Sequence, residues 1–209
     1  MKRALTPVGQ RLLQGVIECV AERGTAPTRI RDITNAAGTT EAAFYRFFTD
    51  LEQAVLYVIR QYWRRLNRVA AAYRRIQSEP MQLLDHLIGE LLVSHADDPE
   101  TAEDEAKVFR IVVREMRSPE LSQKILADPE YRRFVNTCVA IIRSAQRQGK
   151  LSQKLSAKLL GELLVPVVHK VLFLQSVRGI YHPTEAEARQ VVWRLLGREH
   201  QTSAGRRKA

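Results

Sequence analysis

The stretch Arg29–Phe48, RIRDITNAAGTTEAAFYRFF, decides how the chain is read. Its spacing predicts two short helices joined by a tight turn. Ile30, Ile33 and Ala37 fall at i, i+3 and i+7 and form one apolar stripe. Thr28 stands just before that helix, placed to cap the free N–H groups of its first turn. Asp32 adds a negative charge at the same positive end. Ala37-Gly38 stops the helix, because glycine tolerates the left-handed backbone that such a stop requires. Thr39 or Thr40 caps a second helix beginning at Glu41. Phe44 and Phe48 are four apart and share its inner face, while Tyr45 and Arg46 point elsewhere. Helix, glycine turn and short second helix make a helix-turn-helix, whose second helix can lie in the DNA major groove. Two packed helices of an ordinary all-α protein give the same periodicity.

The surrounding residues choose between these readings. Ala21-Glu22-Arg23-Gly24, Thr28, Arg31-Asp32-Ile33, Ala36 to Thr40 and Phe44 to Phe48 keep one order and spacing. In this the first 60 or so residues resemble the DNA-binding domain of the tetracycline-repressor (TetR) family. The remainder resembles the family only in length and helix layout. The resemblance implies a sequence-specific DNA-binding transcriptional regulator.

Composition agrees. The 209 residues hold 33 Lys and Arg against 23 Asp and Glu, a net charge of +10. That balance suits a polyanionic partner without saying which one. Cys19 and Cys138 are far apart, which fits a reducing compartment and gives no disulfide framework or zinc pattern. No apolar segment follows the basic start MKRALTPVGQ, so a signal peptide is not expected. The most apolar run, 159–174, is interrupted by Glu162, His169 and Lys170, short of the ~18 apolar residues of a membrane span. A soluble, cytoplasmic protein is expected.

Outward from the motif, a basic arm (residues 1–7) leads into a helix from Pro7 to about Arg23. Leu12, Leu13, Val16, Ile17 and Val20 make its inner face. Asp50 caps a long helix from Leu51 to about Gln77, with Gln53 as its capping-box partner. The expected boundaries are 1–55 for the arm and DNA-binding domain, 56–198 for a ligand-binding and dimerisation domain, and 199–209 for a disordered basic tail. The whole is all-α, with about nine helices. The helix from Ala157 is apolar on nearly every side and must be buried on more than one face. One face is therefore expected to meet a second subunit, helped by the stripe Ala188, Val191, Val192, Leu195 and Leu196. Helices near 157–178 and 185–197 then form a four-helix interface of a homodimer, the arrangement the resembling family uses.

A twofold dimer presents two recognition helices, so the operator should be palindromic double-stranded DNA. Thr28, Arg29 and Arg31, at the start of the supporting helix, suit phosphates. By resemblance, Thr39, Thr40, Ala43 and Tyr45 occupy groove-facing positions. Ala42 and Ala43 permit close approach to a thymine methyl, and Arg46 can read guanine or grip the backbone. The family often has His at the position of Phe47 and Lys at that of Leu51. Those two departures put two phosphate contacts in doubt, with Lys2, Arg3 or Arg46 as possible offsets.

An effector pocket is implied by the resemblance for the second half. His86, His95, Phe109, Phe134, Cys138 and His169 are its candidate lining residues. His86 and His95 are nine apart, about half a turn out of phase, so they do not make a shared metal site. The acidic run from Asp97 to Glu105 lacks the glycine and spacing of a calcium loop. No metal, cofactor or enzymatic activity is expected, since no phosphate-binding glycine loop, nucleophile elbow or zinc-protease motif occurs. Repression relieved by a small-molecule effector is the leading reading. A helical ligand-binding protein of the same fold with weak DNA binding, and a helical enzyme of unfamiliar kind, are the rivals.

Overall fold

In the computed structural model the described residues are 6–92, 99–176 and 184–197, by backbone alone at 99–102 and 172–176. All regular structure among them is helical. Ten helices run α1 (Pro7–Arg23), α2 (Ile30–Ala36), α3 (Glu41–Tyr45), α4 (Leu51–Ile76), α5 (Pro80–Leu92), α6 (Pro99–Glu115), α7 (Pro119–Ala127), α8 (Pro129–Arg147), α9 (Ala157–Ser176) and α10 (Glu185–Leu195). The short α7 is capped by Ser118, whose Oγ accepts the Leu121 amide. Five helices begin at proline, which fits the first helical position because its missing N–H is not needed there. Lys2, Arg3, His95 and the tail 199–209 lie outside the described residues.

The chain divides into two compact units. One comprises the described residues of Met1–Val69 and Ser94–Phe134, the other those of Ala70–Val93 and Val135–Ala209. Helices α4 and α8 each contribute to both. The expected domain end at residue 55 falls inside α4.

In the first unit α1, α2 and α3 pack around Leu12, Val16, Val20, Ile33, Phe44 and Phe48, all buried. Gly15 makes the approach of α1 to α2 possible: a Cβ there would stand 2.7 Å from the Ile33 carbonyl oxygen. Gly15→Ala should therefore cost about 1–3 kcal/mol in a denaturant titration, the usual range for overpacking. A loss under about 0.5 kcal/mol would mean that α2 yields freely, since surface-like changes fall in that range.

Farther along, α4 crosses to the start of α8. Trp63 is fully buried, with its ring 5.0 Å from Tyr131 and 5.9 Å from Phe134. Around this aromatic cluster runs a polar band. Arg60 Nε donates to Asp128 Oδ2 at 2.6 Å, Arg64 Nε to Glu130 Oε1 at 3.2 Å, and Asn67 Nδ2 to the Glu130 carbonyl oxygen at 2.9 Å. Both carboxylates are largely buried, so the pairing offsets a desolvation cost that neither could bear alone.

The second unit is built on α5, whose Leu83, Leu84, Leu87, Ile88 and Leu91 are buried, and it packs against α9 and α10. Arg189 and Trp193 of α10 both reach Asp85, at 3.2 and 3.1 Å. Helix α9 carries Pro166 at an exposed position, where proline removes the N–H that would donate to the carbonyl four residues back. Among the described residues no helix is long and apolar enough to cross a membrane.

Candidate nucleic-acid interface

The turn between α2 and α3 is set by local chemistry. Gly38 has φ of +57°, the left-handed conformation that ends α2 and reverses the chain. Of the two threonines that follow, Thr40 is the cap: its Oγ1 accepts the Ala43 amide at 3.2 Å. That leaves the hydroxyl proton free to donate outward. Phe44 and Phe48 turn inward with ring centroids 5.4 Å apart.

The start of α2 differs from expectation. The cap position belongs to Arg29, whose amide donates to Asp32 Oδ2 at 3.0 Å. Thr28 is buried, and its hydroxyl donates to the Gly24 carbonyl oxygen at 2.6 Å. Its side chain ties the end of α1 to the start of α2 and presents no free hydroxyl. At α4, Asp50 caps as expected, accepting the Gln53 amide at 2.7 Å. Gln53 reaches back one residue further than the capping-box pattern, to the Thr49 amide at 2.8 Å.

The outer face of the motif gathers the remaining residues. Arg29, Arg31, Thr40, Ala42, Tyr45 and Arg46 are exposed, and Thr39 and Ala43 are half-buried. Tyr45 is 55% exposed, a large aromatic side chain left in water by a helix that buries Phe44 completely. Arg29, Arg31 and Arg46 have no ion-pair partner among the described residues. A surface with three uncompensated guanidinium groups, a free hydroxyl and an outward phenol can both position phosphates and touch base edges.

Behind this face lies a set of contacts that periodicity does not reveal. Helix α6 is bound to α1 and to the connection that follows it. Gln14 Nε2 donates to Asp104 Oδ1 at 2.9 Å, Arg114 Nη1 to the Val20 carbonyl oxygen at 3.1 Å, and the Thr25 amide to Glu115 Oε1 at 3.1 Å. Arg114 thus adds a second donor to a carbonyl that already accepts the Gly24 amide, and places a cation at the negative end of α1. Arg65 of α4 pairs with Glu105 of α6 at 3.0 Å. The described side chains of the acidic run, Glu103, Asp104 and Glu105, are therefore all engaged, with Lys107 paired to Glu103 at 3.2 Å. Between α1, α4 and α6 an open cleft of about 280 Å³ is lined by Leu13, Ile17, Tyr62 and Val108. Partners some 90 residues apart leave no local signal that could have announced them.

The effector candidates are placed separately. Phe134, in the first unit, is fully buried against Trp63, and Phe109 is half-buried on α6. In the second unit His86 stacks on Tyr73 at 3.8 Å between ring centroids. Cys138 is fully buried, and burial pushes its thiol up to about 12. His169 is nearly buried, and burial lowers its pKa to about 4, so it is neutral at pH 7. No group of His, Cys, Asp and Glu among the described residues could hold a metal ion.

Residues 12–56 match the sequence family described as bacterial regulatory proteins, tetR family. No curated protein matches the chain significantly in sequence. Solved structures do match in fold. The fatty acid degradation regulator FadR of Bacillus halodurans has a TM-score of 0.73 at 16% identity, covering 90% of this chain and 97% of its own. The FadR of Bacillus subtilis in complex with stearoyl-CoA has a TM-score of 0.75 at 16% identity, covering 91% and 99%. A putative transcriptional regulator of Saccharomonospora viridis in complex with choline has a TM-score of 0.66 at 22% identity, covering 88% and 92%. Residues 12–56 thus carry the helix-turn-helix that the tetR family of bacterial regulatory proteins describes, within a fold that the chain shares with solved transcriptional regulators.

Proposed function

We propose that the protein is a homodimeric repressor that occupies a palindromic operator and leaves it when a small molecule binds. The single observation that carries the reading is the outer face of α2 and α3. It leaves Arg29, Arg31 and Arg46 unpaired and Tyr45 exposed, while Ile33 and Phe44 between them are fully buried. In this reading Arg29 and Arg31 hold phosphates, and Thr40, Ala42, Ala43 and Tyr45 meet base edges in the major groove. Thr39 sits at the rim of that contact, and Arg46 reads guanine or grips the backbone. Thr28 acts from behind by fixing the angle between α1 and α2. Residues 1–55 carry DNA binding, and 56–198 carry the ligand and the dimer contact.

The dimer reading rests on α9 and α10. Leu159 is 45% exposed and Val191 49% exposed, and Leu163, Val167 and Leu195 are only half covered by the chain itself. A second copy packed on these two helices would cover them. Release rests on α6: because it is bonded to α1 and α4, a ligand that moves it acts on the recognition helix through Asp104, Arg114 and Glu115. Stearoyl-CoA and choline, bound by two proteins of similar fold, are too unlike to single out an effector chemistry here.

Selection of bound duplexes from a random-sequence pool tests the reading. Enrichment of a palindrome is the expected result; salt-labile binding without enrichment would overturn it. Tyr45→Ala should weaken the selected operator about 10- to 100-fold, as for a lost base or phosphate contact worth 1–3 kcal/mol. The variant should remain folded and dimeric, because the Tyr45 side chain is outside the core. Unchanged affinity would remove Tyr45 from the interface.

A further inference from the structure

The second unit contains a feature that DNA binding does not use. An open cleft of about 260 Å³ lies between the last turn of α4, the start of α5 and the middle of α8. Pro80, Leu83 and Ile141 give it an apolar floor, and Arg74, Ser78 and Ser144 give it polar walls. The charge around it is one-sided. Arg74 is exposed in its wall. On α8, Arg147 stands three residues beyond Ser144 and Arg143 three beyond Ala140, so both flank the face that lines the cleft. Neither they nor Arg74 has an ion-pair partner among the described residues. The nearest acid in sequence, Glu79, is already engaged: its carboxylate accepts Lys150 Nζ at 2.6 Å and the Gln82 amide at 2.8 Å.

We propose that this cleft binds a small phosphorylated molecule, with phosphate held by Arg74 and Arg147 and an adjoining ring or short apolar part on Leu83 and Ile141. A phosphate carries close to two charges and several acceptor oxygens, which matches two or three forked guanidinium groups and the Ser78 and Ser144 hydroxyls. A single carboxylate would leave most of that charge uncompensated. The volume falls just below the usual range for ligand pockets, which starts at about 300 Å³. It suits a phosphorylated head group more than a whole large cofactor. A concave cleft with a buried floor also suits a small molecule better than the convex surface of a duplex. The proposal is independent of operator binding.

Isothermal titration of the full chain with adenosine 5′-diphosphate and with inorganic pyrophosphate, at fixed ionic strength, tests it. Saturable binding of at least one probe at one site per chain is expected, with adenosine inert. Arg74→Ala combined with Arg147→Ala should weaken binding at least tenfold. Ala140→Leu, which fills the cleft from an exposed position and leaves every charge in place, should do the same. Arg68→Ala, at an exposed and equally unpaired arginine of α4 outside the cleft, should change nothing. Three results would overturn the site: no saturable binding of either probe, full binding by Ala140→Leu, or an equal loss in Arg68→Ala. Loss of random duplex binding in the arginine pair, with both probes inert, would assign the patch to nucleic acid instead.

Discussion

Trp63→Ala lowers the stability of the protein by about 3–5 kcal/mol, the cost of deleting a fully buried indole whose neighbours cannot close the cavity. The neighbours explain why. Tyr131 meets the indole edge-on at 5.0 Å, Phe134 lies at 5.9 Å, and Tyr62 packs against it from the same helix at 4.9 Å. The backbone on either side is fixed by Arg60 to Asp128 and Arg64 to Glu130. Aromatic rings held by two ion pairs collapse poorly into a void, so the upper part of the range applies. The chain has two tryptophans, and Trp193 belongs to the second unit. In Trp63→Ala, Trp193 fluorescence in a urea titration reports the second unit, while far-UV circular dichroism reports both. An earlier midpoint by dichroism than by fluorescence is expected. Trp63→Phe should recover part of the loss, because a smaller ring still fills some of the cavity. A loss under about 1 kcal/mol would mean that the cluster repacks and does not hold α4 to α8.

How much of this was legible depends on how far apart the partners are. The helix-turn-helix is local. Ile33, Ala37, Phe44 and Phe48 lie within 16 residues, and a 3.6-residue period with one glycine stop places all four. Helix starts were legible for the same reason, since proline and small hydroxyl residues act within one turn. The exceptions are instructive. Thr28 looked like a cap because it precedes an apolar stripe, but the carbonyl of Gly24, four residues back, claims its hydroxyl. A side chain with two possible local partners is decided by the path of the preceding loop, which sequence spacing does not encode.

The supports of the site were not legible at all. Asp104, Arg114 and Glu115 read as members of a charged helix, and their bonds to Gln14, Val20 and Thr25 depend on how α6 lies on α1. Asp128 and Glu130 read as a helix start, and only the fold brings Arg60, Arg64 and Asn67 to them. The effector candidates show the opposite difficulty. A histidine on an apolar face has several ways to be satisfied, and His86 takes one by stacking on Tyr73. Phe134 serves the Trp63 cluster. Apolar periodicity says that a side chain is covered without saying whether a ligand or a neighbouring ring covers it.

In the proposed dimer, Leu159→Glu combined with Val191→Glu is expected to give a monomer and to lower affinity for the full operator by more than about 100-fold. The two side chains are each close to half exposed, on the helices expected to meet a second copy. A carboxylate facing its twofold mate, or facing apolar surface, must either leave water unpaired or keep the helices apart. Separation costs little inside one chain, because neither position belongs to the monomer's own core. Its effect on DNA is large. Once one half-site is bound, the partner's recognition helix meets the second half-site at an effective concentration in the millimolar range. A monomer forgoes that gain and keeps only the contacts of one helix-turn-helix with one half-site. Light scattering reads the mass, and fluorescence anisotropy with a labelled operator reads the affinity. Lys154→Glu, exposed and outside both helices, controls for the added negative charge. The expected pattern is a monomer with weakened operator binding for the double variant and a dimer with near-normal binding for the control. A double variant that stays dimeric would move the interface away from α9 and α10. A monomer that binds the full palindrome as tightly as the parent would separate dimerisation from operator recognition, and α3 alone would then have to supply the affinity.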